Sequence, residues 1–406
     1  MNEWKKYKLG DIGSFFGGVT SISKEDYGHG TPFLPYKNVY KNSKVNVNEL
    51  ELMNVKQQDL QRRSAKYGDI FFTASSETPD EVAMSSVLLD EVENLTFNGF
   101  CKRFRLNNFN TLLPEYARYL FRDILFRREI YQLATGDIRF NISQESLANI
   151  EIEIPNIKTQ TQIAQILTSF DDKIELLGQM NQTLETMAQT IFKEWFVDFN
   201  FPGFDGELVD GLPKGWRKGK LGEMVDVKGG TTPSTAKEEY WNGEFFWTTP
   251  KDLSNIQSPV LIDTERKITE LGVKQISSGI LPEGTLLLSS RAPIGYLAIS
   301  QIPISINQGY IAIQGKIVSN IFMLFWLKDN INTVKSKANG STFQEISKTN
   351  FRDIDAIIPL NGILKKFDEF VSPIFEKIVE TVYQIRTLTQ LRDTLLPKLM
   401  SGAVKV

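Results

Sequence analysis

Two stretches of the chain alternate apolar with acidic or small residues and then stop on proline: SLANIEIEIP, ending at Pro155, and NFRDIDAIIP, ending at Pro359. A two-residue period closed by proline predicts a short, half-buried strand at each place. The two lie 204 residues apart, and the same offset brings Ala134-Thr135-Gly136 onto Ala338-Asn339-Gly340, Ile142-Ser143 onto Ile346-Ser347 and Ile150 onto Ile354. The register runs on through Lys173-Ile174 with Lys377-Ile378, Leu184 with Leu388 and Thr190 with Thr394. Upstream, with small insertions, Lys8-Leu9-Gly10-Asp11 answers Lys220-Leu221-Gly222-Glu223, Gly17-Gly18 answers Gly229-Gly230, and Lys37-Asn38-Val39 answers Lys251-Asp252-Leu253. The chain reads as a tandem duplication whose front portions have drifted more than its back portions.

After each proline the period changes from two to seven. Ile163, Phe170, Leu177, Leu184 and Ile191 recur every seven residues, as do Leu167, Ile174, Asn181, Ala188 and Trp195; the second copy offers Phe367, Ile374, Thr381, Leu388 and Leu395 beside Val371, Ile378, Ile385, Arg392 and Leu399. Five heptads predict helices of roughly 35 to 40 residues. Residues 156–199 hold three basic and six acidic groups and residues 360–406 seven and five, so the helices complement each other in charge. An antiparallel pair within one chain follows, with Thr381 as the counterpart of Leu177 and with Asn181, Thr381 and Arg392 helping to fix register.

The front portions read as α/β. GDIFFTAS (Gly68 to Ser75), SSVLLD (Ser85 to Asp90) and KRFRL (Lys102 to Leu106) predict strands before a helix over Pro114 to Ala134. TLLLSS, YLAIS and GYIAIQ precede a helix over Asn320 to Ala338 in the same order. The expected division is a globular domain over 1–155, a helix over 156–199, a Pro/Gly-rich linker over 200–213, a second domain over 214–359 and a second helix with its tail over 360–406.

Composition narrows the function. With 41% hydrophobic and 23% charged residues, the 406-residue chain is globular rather than disordered. The start MNEWKKYKLG lacks the apolar run of a signal peptide and Ile321 to Leu327 is too short to span a bilayer, so a soluble, cytoplasmic protein without membrane contact is expected. One cysteine, Cys101, and one histidine, His29, cannot make a disulfide framework or a Cys/His zinc site. Cys101 is expected in the core and His29 in a turn. There is no Walker phosphate loop and no Asn-Pro-Pro-aromatic stretch. Pro79-Asp80 followed by Glu91-Val92-Glu93 lacks the lysine of a nuclease site. The glycine pairs are better read as turns than as phosphate loops. No catalytic residue and no metal site is expected.

Net charge is −3, and the globular portions balance, with 19 basic and 21 acidic groups in 1–155 and 17 of each in 200–359. Nucleic-acid binding therefore needs charge gathered on one face. Candidates are Lys37, Asn38 and Tyr40 with Tyr36 and Lys41; Lys102-Arg103-Phe104-Arg105; Arg118, Arg122, Arg127 and Arg128 along one helix; Arg139 and Asn141 in GDIRFNIS; Lys251; Arg291 in SSRAPIG; and Gln344 in GSTFQEIS. Such side chains suit phosphates or base edges.

Two divergent domains, each opening KLG[DE], closing G…IS…[LF]..I…IP and leading into a heptad helix, resemble the DNA-specificity subunit of type I restriction-modification systems, over nearly the whole chain. The resemblance implies two α/β target-recognition domains separated by two long antiparallel helices in a pseudo-twofold tandem repeat. Each domain would read one half of a bipartite site in double-stranded DNA. The helices would set the spacing and dock two modification subunits, with a core of Ile163, Phe170, Leu177, Leu184, Ile191, Phe367, Ile374, Leu388 and Leu395. It implies no catalysis in this chain: S-adenosylmethionine would bind the methyltransferase partners, and ATP the restriction subunits of a cleaving system. The rival reading is a coiled-coil structural or chromosome-organising protein without sequence preference, which would associate through exposed seams. A stand-alone transcriptional regulator would need a helix-turn-helix, and none is legible.

Overall fold

A computed structural model describes residues 4–20, 23–78, 81–134, 136, 140–340 and 344–406. The chain divides into two compact units, residues 1–173 with 388–406 and residues 174–387. Each contains one globular domain together with part of both long helices, so neither core ends at its proline.

The repeated phrase closes each unit in the same way. Lys5–Lys8 pairs antiparallel with Glu151–Ile154, and Arg217–Lys220 with Asp355–Ile358. Ile152 and Ile154 point inward while Glu151 and Glu153 face water, the alternation a half-buried strand requires. The backbone N–H of Leu9 donates to the Ile150 carbonyl at 3.0 Å, and that of Leu221 to Ile354 at 2.9 Å.

In the first unit the main sheet runs Gly13–Gly17, Cys101–Leu106, Ile70–Thr73, Ser85–Val87, all antiparallel. The second repeats this order as Val225–Gly229, Tyr310–Gly315, Leu286–Ser289, Leu297–Ser300, and adds Val260–Leu261 in parallel at the edge. A three-stranded sheet accompanies each: Glu51–Met53, Tyr27–Leu34, Thr96–Phe97 and Arg266–Ile268, Trp241–Thr248, Ser305–Ile306. His29 lies not in a turn but in the exposed first half of the strand Tyr27–Leu34, at an irregularity in its pairing between Tyr27 and Thr31 where Gly28 and Gly30 have φ of 88° and 99°. The glycine pairs mark close approach rather than turns: a Cβ on Gly18 would meet the Asn98 carbonyl oxygen at 2.2 Å, and one on Gly230 that of Ile306 at 1.9 Å. Cys101 is buried, and burial pushes its thiol up to about 12.

The expected helix over Pro114 to Ala134 is broken into Pro114–Leu120 and Ile124–Leu133. Asp123 between them is extended, and its side chain caps the second helix at the Leu125 N–H. Its counterpart Asn320–Ser336 continues through a kink at Asn330, whose amide donates to the Trp326 carbonyl at 3.0 Å.

Both long helices, Ile157–Phe196 and Asn361–Met400, have 40 residues. In the first unit Ile163, Ala164 and Leu167 join Leu399 and Met400 in a core that also holds Leu9, Phe72, Phe104 and Ile154. In the second, Ala188, Phe192, Trp195 and Phe196 join Phe367, Val371, Phe375 and Ile378 beneath Leu286, Ile313 and Phe322. The helices are therefore antiparallel in each unit. Of the expected seam, Ile163, Leu177 and Phe367 are buried, while Phe170, Leu184, Ile191, Ile374, Leu388 and Leu395 are half-buried. Burial spreads to Phe192, Phe196 and Phe375, off the heptad, because each helix covers a domain as well as its partner and needs a wider apolar stripe.

The register devices differ from expectation. Arg392 does cross, donating to Asp171 at 2.8 Å. Asn181 instead donates to Ser258 Oγ of the second domain at 3.2 Å, and Thr381 to the Lys377 carbonyl of its own helix at 2.8 Å. Trp195 packs on Phe367 with ring centroids 6.1 Å apart, which places Leu177 opposite Ile385 rather than Thr381. The linker is not loose either. Phe201 stacks on Trp216 at 5.3 Å, Phe199 meets the same ring edge-on at 5.5 Å, and Leu208–Val209 pairs with Leu212–Pro213, so Phe199, Phe201 and Leu212 bind the linker to the second core.

Candidate nucleic-acid interface

The loops carrying Asn141 and Gln344 are pinned alike in the two units. The Ile142 N–H donates to the Ala74 carbonyl, and the Ile346 N–H to the Ser290 carbonyl, each at 3.1 Å. Both isoleucines are buried, so each acts as an apolar nail holding a loop across the end of a central strand. Around the nail, Phe140–Asn141 pairs with Ser75–Ser76 in the first unit, and Glu345 bridges to Arg291 in the second. Asn339 and Glu345 exchange both backbone hydrogen bonds at 2.9 Å. Arg139 lies outside the described residues, as do Pro79 and Asp80.

A short helix stands beside each platform, Tyr36–Lys41 and Pro250–Leu253, with Lys37 and Lys251 exposed at matching places. Lys251 pairs with Glu265 at 2.8 Å, and that hydrogen bond raises its pKa. In the first unit Tyr36 donates to the Ser75 carbonyl at 2.7 Å and lies parallel to Tyr40 at 6.4 Å. Tyr40 donates to Glu81 Oε1 at 2.6 Å, and Ser76 Oγ to Glu81 Oε2 at 2.8 Å. Helix, strand end and loop are thus joined by side chains, and burial pushes the Tyr36 phenol up. The structure gathers Lys37, Tyr40 and Asn141 at one edge of the first unit. At one edge of the second it gathers Arg291, half-exposed and 3.7 Å from Glu345, with the neighbouring exposed Gln344.

Asn38 does not face solvent. It is 1% exposed, its amide donates to the Asn46 carbonyl at 2.9 Å, and its oxygen accepts the Asn46 N–H at 3.1 Å. Asp252 does the same work in the second copy, accepting from Thr249 N at 2.7 Å and Glu265 N at 2.8 Å. The Arg103 and Arg105 cluster also turns inward. Arg105 grips buried Asp69 through two bonds of 2.7 and 2.6 Å, and burial pulls Arg103 down to about 10. Of the arginines of the broken helix, Arg118, Arg122 and Arg127 likewise turn inward, whereas Arg128 is exposed. Arg122 donates to the carbonyls of Val39, Tyr40, Asn42 and Ser85, and burial, with the neighbouring arginine charges, holds it at about 10. A basic run says nothing about direction, and here the unpaired carbonyls of neighbouring loops claim the guanidinium groups.

One exposed basic feature escaped the sequence reading. In the second unit Arg266 lies 3.5 Å over the Trp241 ring and Lys267 4.6 Å over Phe246. The aromatic-rich run WNGEFFW was its signal.

The family model described as type I restriction modification DNA specificity domain matches residues 1–186 and again 213–385. Over its whole length the chain is similar to the type I restriction enzyme MjaIX specificity subunit of Methanocaldococcus jannaschii, at 27% identity and covering 94% of that protein. It is also similar, at 26% identity over the full length of both, to the type I restriction enzyme HindI specificity subunit of Haemophilus influenzae. Among solved structures, the type I restriction-modification S subunit from M. genitalium shares the fold, with a TM-score of 0.60 at 18% identity over 98% of this chain and 96% of that one.

Proposed function

Since the chain belongs to the type I restriction-modification DNA specificity family and carries that family's domain twice, we propose that each domain reads one half of a bipartite DNA target through the platform described above. The observation that carries this reading is the paired construction: Ile142 on Ala74 and Ile346 on Ser290 hold the same loop in the same place, while the side chains around it differ. Ser75 and Asn141 stand in one copy where Arg291 and Glu345 stand in the other. A constant frame with unlike contacts is what reading two different half-sites demands.

The long helices serve as spacer and as the docking surface for two modification subunits. Their outward faces leave Leu176, Met187, Phe370 and Tyr383 exposed, which supports a protein partner there. Methyl transfer, with its S-adenosylmethionine, resides on those subunits, and ATP-driven cleavage on restriction subunits. Among the described residues no helix is long and apolar enough to cross a membrane.

The test is exchange of residues 1–155 for the corresponding segment of a family member with a known target, followed by mapping of methylated adenines. The first half-site should change to that of the donor and the second should persist. Simultaneous change of both, or of neither, would overturn the reading.

A further inference from the structure

We propose that Asp171, on the first long helix, is a positioning residue for the DNA-reading edge of the first domain, linking both long helices to the short helix Tyr36–Lys41 through arginines. This rests on the DNA-reading role assigned above and adds how the edge is held.

The carboxylate of Asp171 collects three donors from two elements. Arg392 of the second long helix reaches Oδ1 at 2.8 Å; Arg118 and the Tyr119 hydroxyl reach Oδ2 at 2.7 and 2.8 Å. The Arg118 Nε then donates to Ser43 Oγ at 2.9 Å, just beyond the end of the short helix. One turn along, the Arg122 Nη2 spans the carbonyls of Val39, Tyr40 and Asn42 at 3.0, 3.0 and 2.9 Å. Arg127 closes the series on the Val82 and Ala83 carbonyls at 2.6 and 2.8 Å, beside the loop that carries Glu81. A planar guanidinium meets several carbonyls at once, as a lysine ammonium on its flexible stem does not. The last turn of the short helix, which carries Tyr40, and Ser43 just beyond it are therefore held by arginines, and Arg118 ties that end to the spacer helices through Asp171.

The second unit is built otherwise. Phe375 stands 204 residues beyond Asp171 and is buried in the apolar core, and the helix Asn320–Ser336 meets the first long helix through Lys328 and Glu185. Disturbing Asp171 should accordingly act on the first half-site alone.

The experiment uses the full chain assembled with its modification subunits. Methylation rates are compared for the correct target and for targets with one base changed in either half. Asp171→Asn, which keeps shape but removes the charge that holds both arginines, should cut discrimination at the first half-site about tenfold. Discrimination at the second half-site should not change. Ser43→Ala, which cuts only the far link, should act in the same direction more weakly, and it decides the matter should Asp171→Asn fail to assemble. Leu112→Ala, a core truncation in the same unit, should lower the thermal midpoint yet leave the discrimination ratio alone. Equal loss at both half-sites, no loss in an assembled variant, or the same ratio change in Leu112→Ala would overturn the proposal. If exchange of residues 1–155 moves the first half-site while Asp171→Asn does not, the positioning role alone falls. If the exchange moves nothing, the DNA-reading role falls with it.

Discussion

Leu399 lies near the end of the chain, yet its side chain, 2% exposed, sits in the first unit's core with Leu9, Ile154, Ile163 and Leu167. Leu399→Ala removes a buried isobutyl group and leaves a cavity walled by two helices and a strand, which cannot all close in. Such truncations cost about 2 to 5 kcal/mol. Against a typical domain stability of about 5 to 15 kcal/mol, that is a large fraction. At about 1.4 kcal/mol per factor of ten, the unfolding equilibrium of the first unit shifts by roughly 30-fold to several-thousand-fold. Native-state hydrogen exchange resolves where the loss falls. Amides of Ile70–Thr73 and Cys101–Leu106 should lose protection by that factor, while those of Leu286–Ser289 and Tyr310–Gly315 keep theirs. Equal loss in both sets, or loss confined to the second, would refute the assignment of the last helical turns to the first unit's core.

Lys37→Ala should weaken binding through the first half-site only, and Arg291→Ala or Lys251→Ala through the second only; loss of a base contact costs about 1 to 3 kcal/mol, and loss of a phosphate contact lowers the salt slope by about one, so titrations at several salt concentrations separate the two. The chain without modification subunits, incubated with labelled S-adenosylmethionine and DNA, should show no methyl transfer, and adding the modification subunits should restore it. A heptad inserted in both long helices, after Glu175 and after Thr387, keeps the seams in phase and lengthens each helix by about 10 Å, or about three base-pair steps of 3.4 Å. The preferred gap between half-sites should grow by up to about that much on a library of spacer lengths, and an unchanged gap in an active double insertion would mean that the partner subunits set the distance.

Local periodicity carried the elements. Alternation ending at Pro155 and Pro359, the seven-residue period behind each, and their common offset determined two strands, two long helices and a duplicated design, because burial of one face imposes its period on the residues. It also predicted the family, through motifs that recur at both ends of each copy. Tertiary structure decided what those residues face. Lysines and arginines look alike in a sequence whether they meet water or carbonyls, so Arg105 and Arg122 read as possible contacts until Asp69 and the carbonyls of Val39, Tyr40 and Asn42 were brought beside them. Asn38 is similar: a polar residue next to an exposed lysine, buried only because Asn46 folds back onto it. The break at Asp123, the bound linker and the pairing of Leu177 with Ile385 also depend on partners distant in the chain. A hydrogen bond or a packed ring satisfies a group only once the fold has chosen its neighbour, and that choice is a property of the whole chain rather than of any window along it.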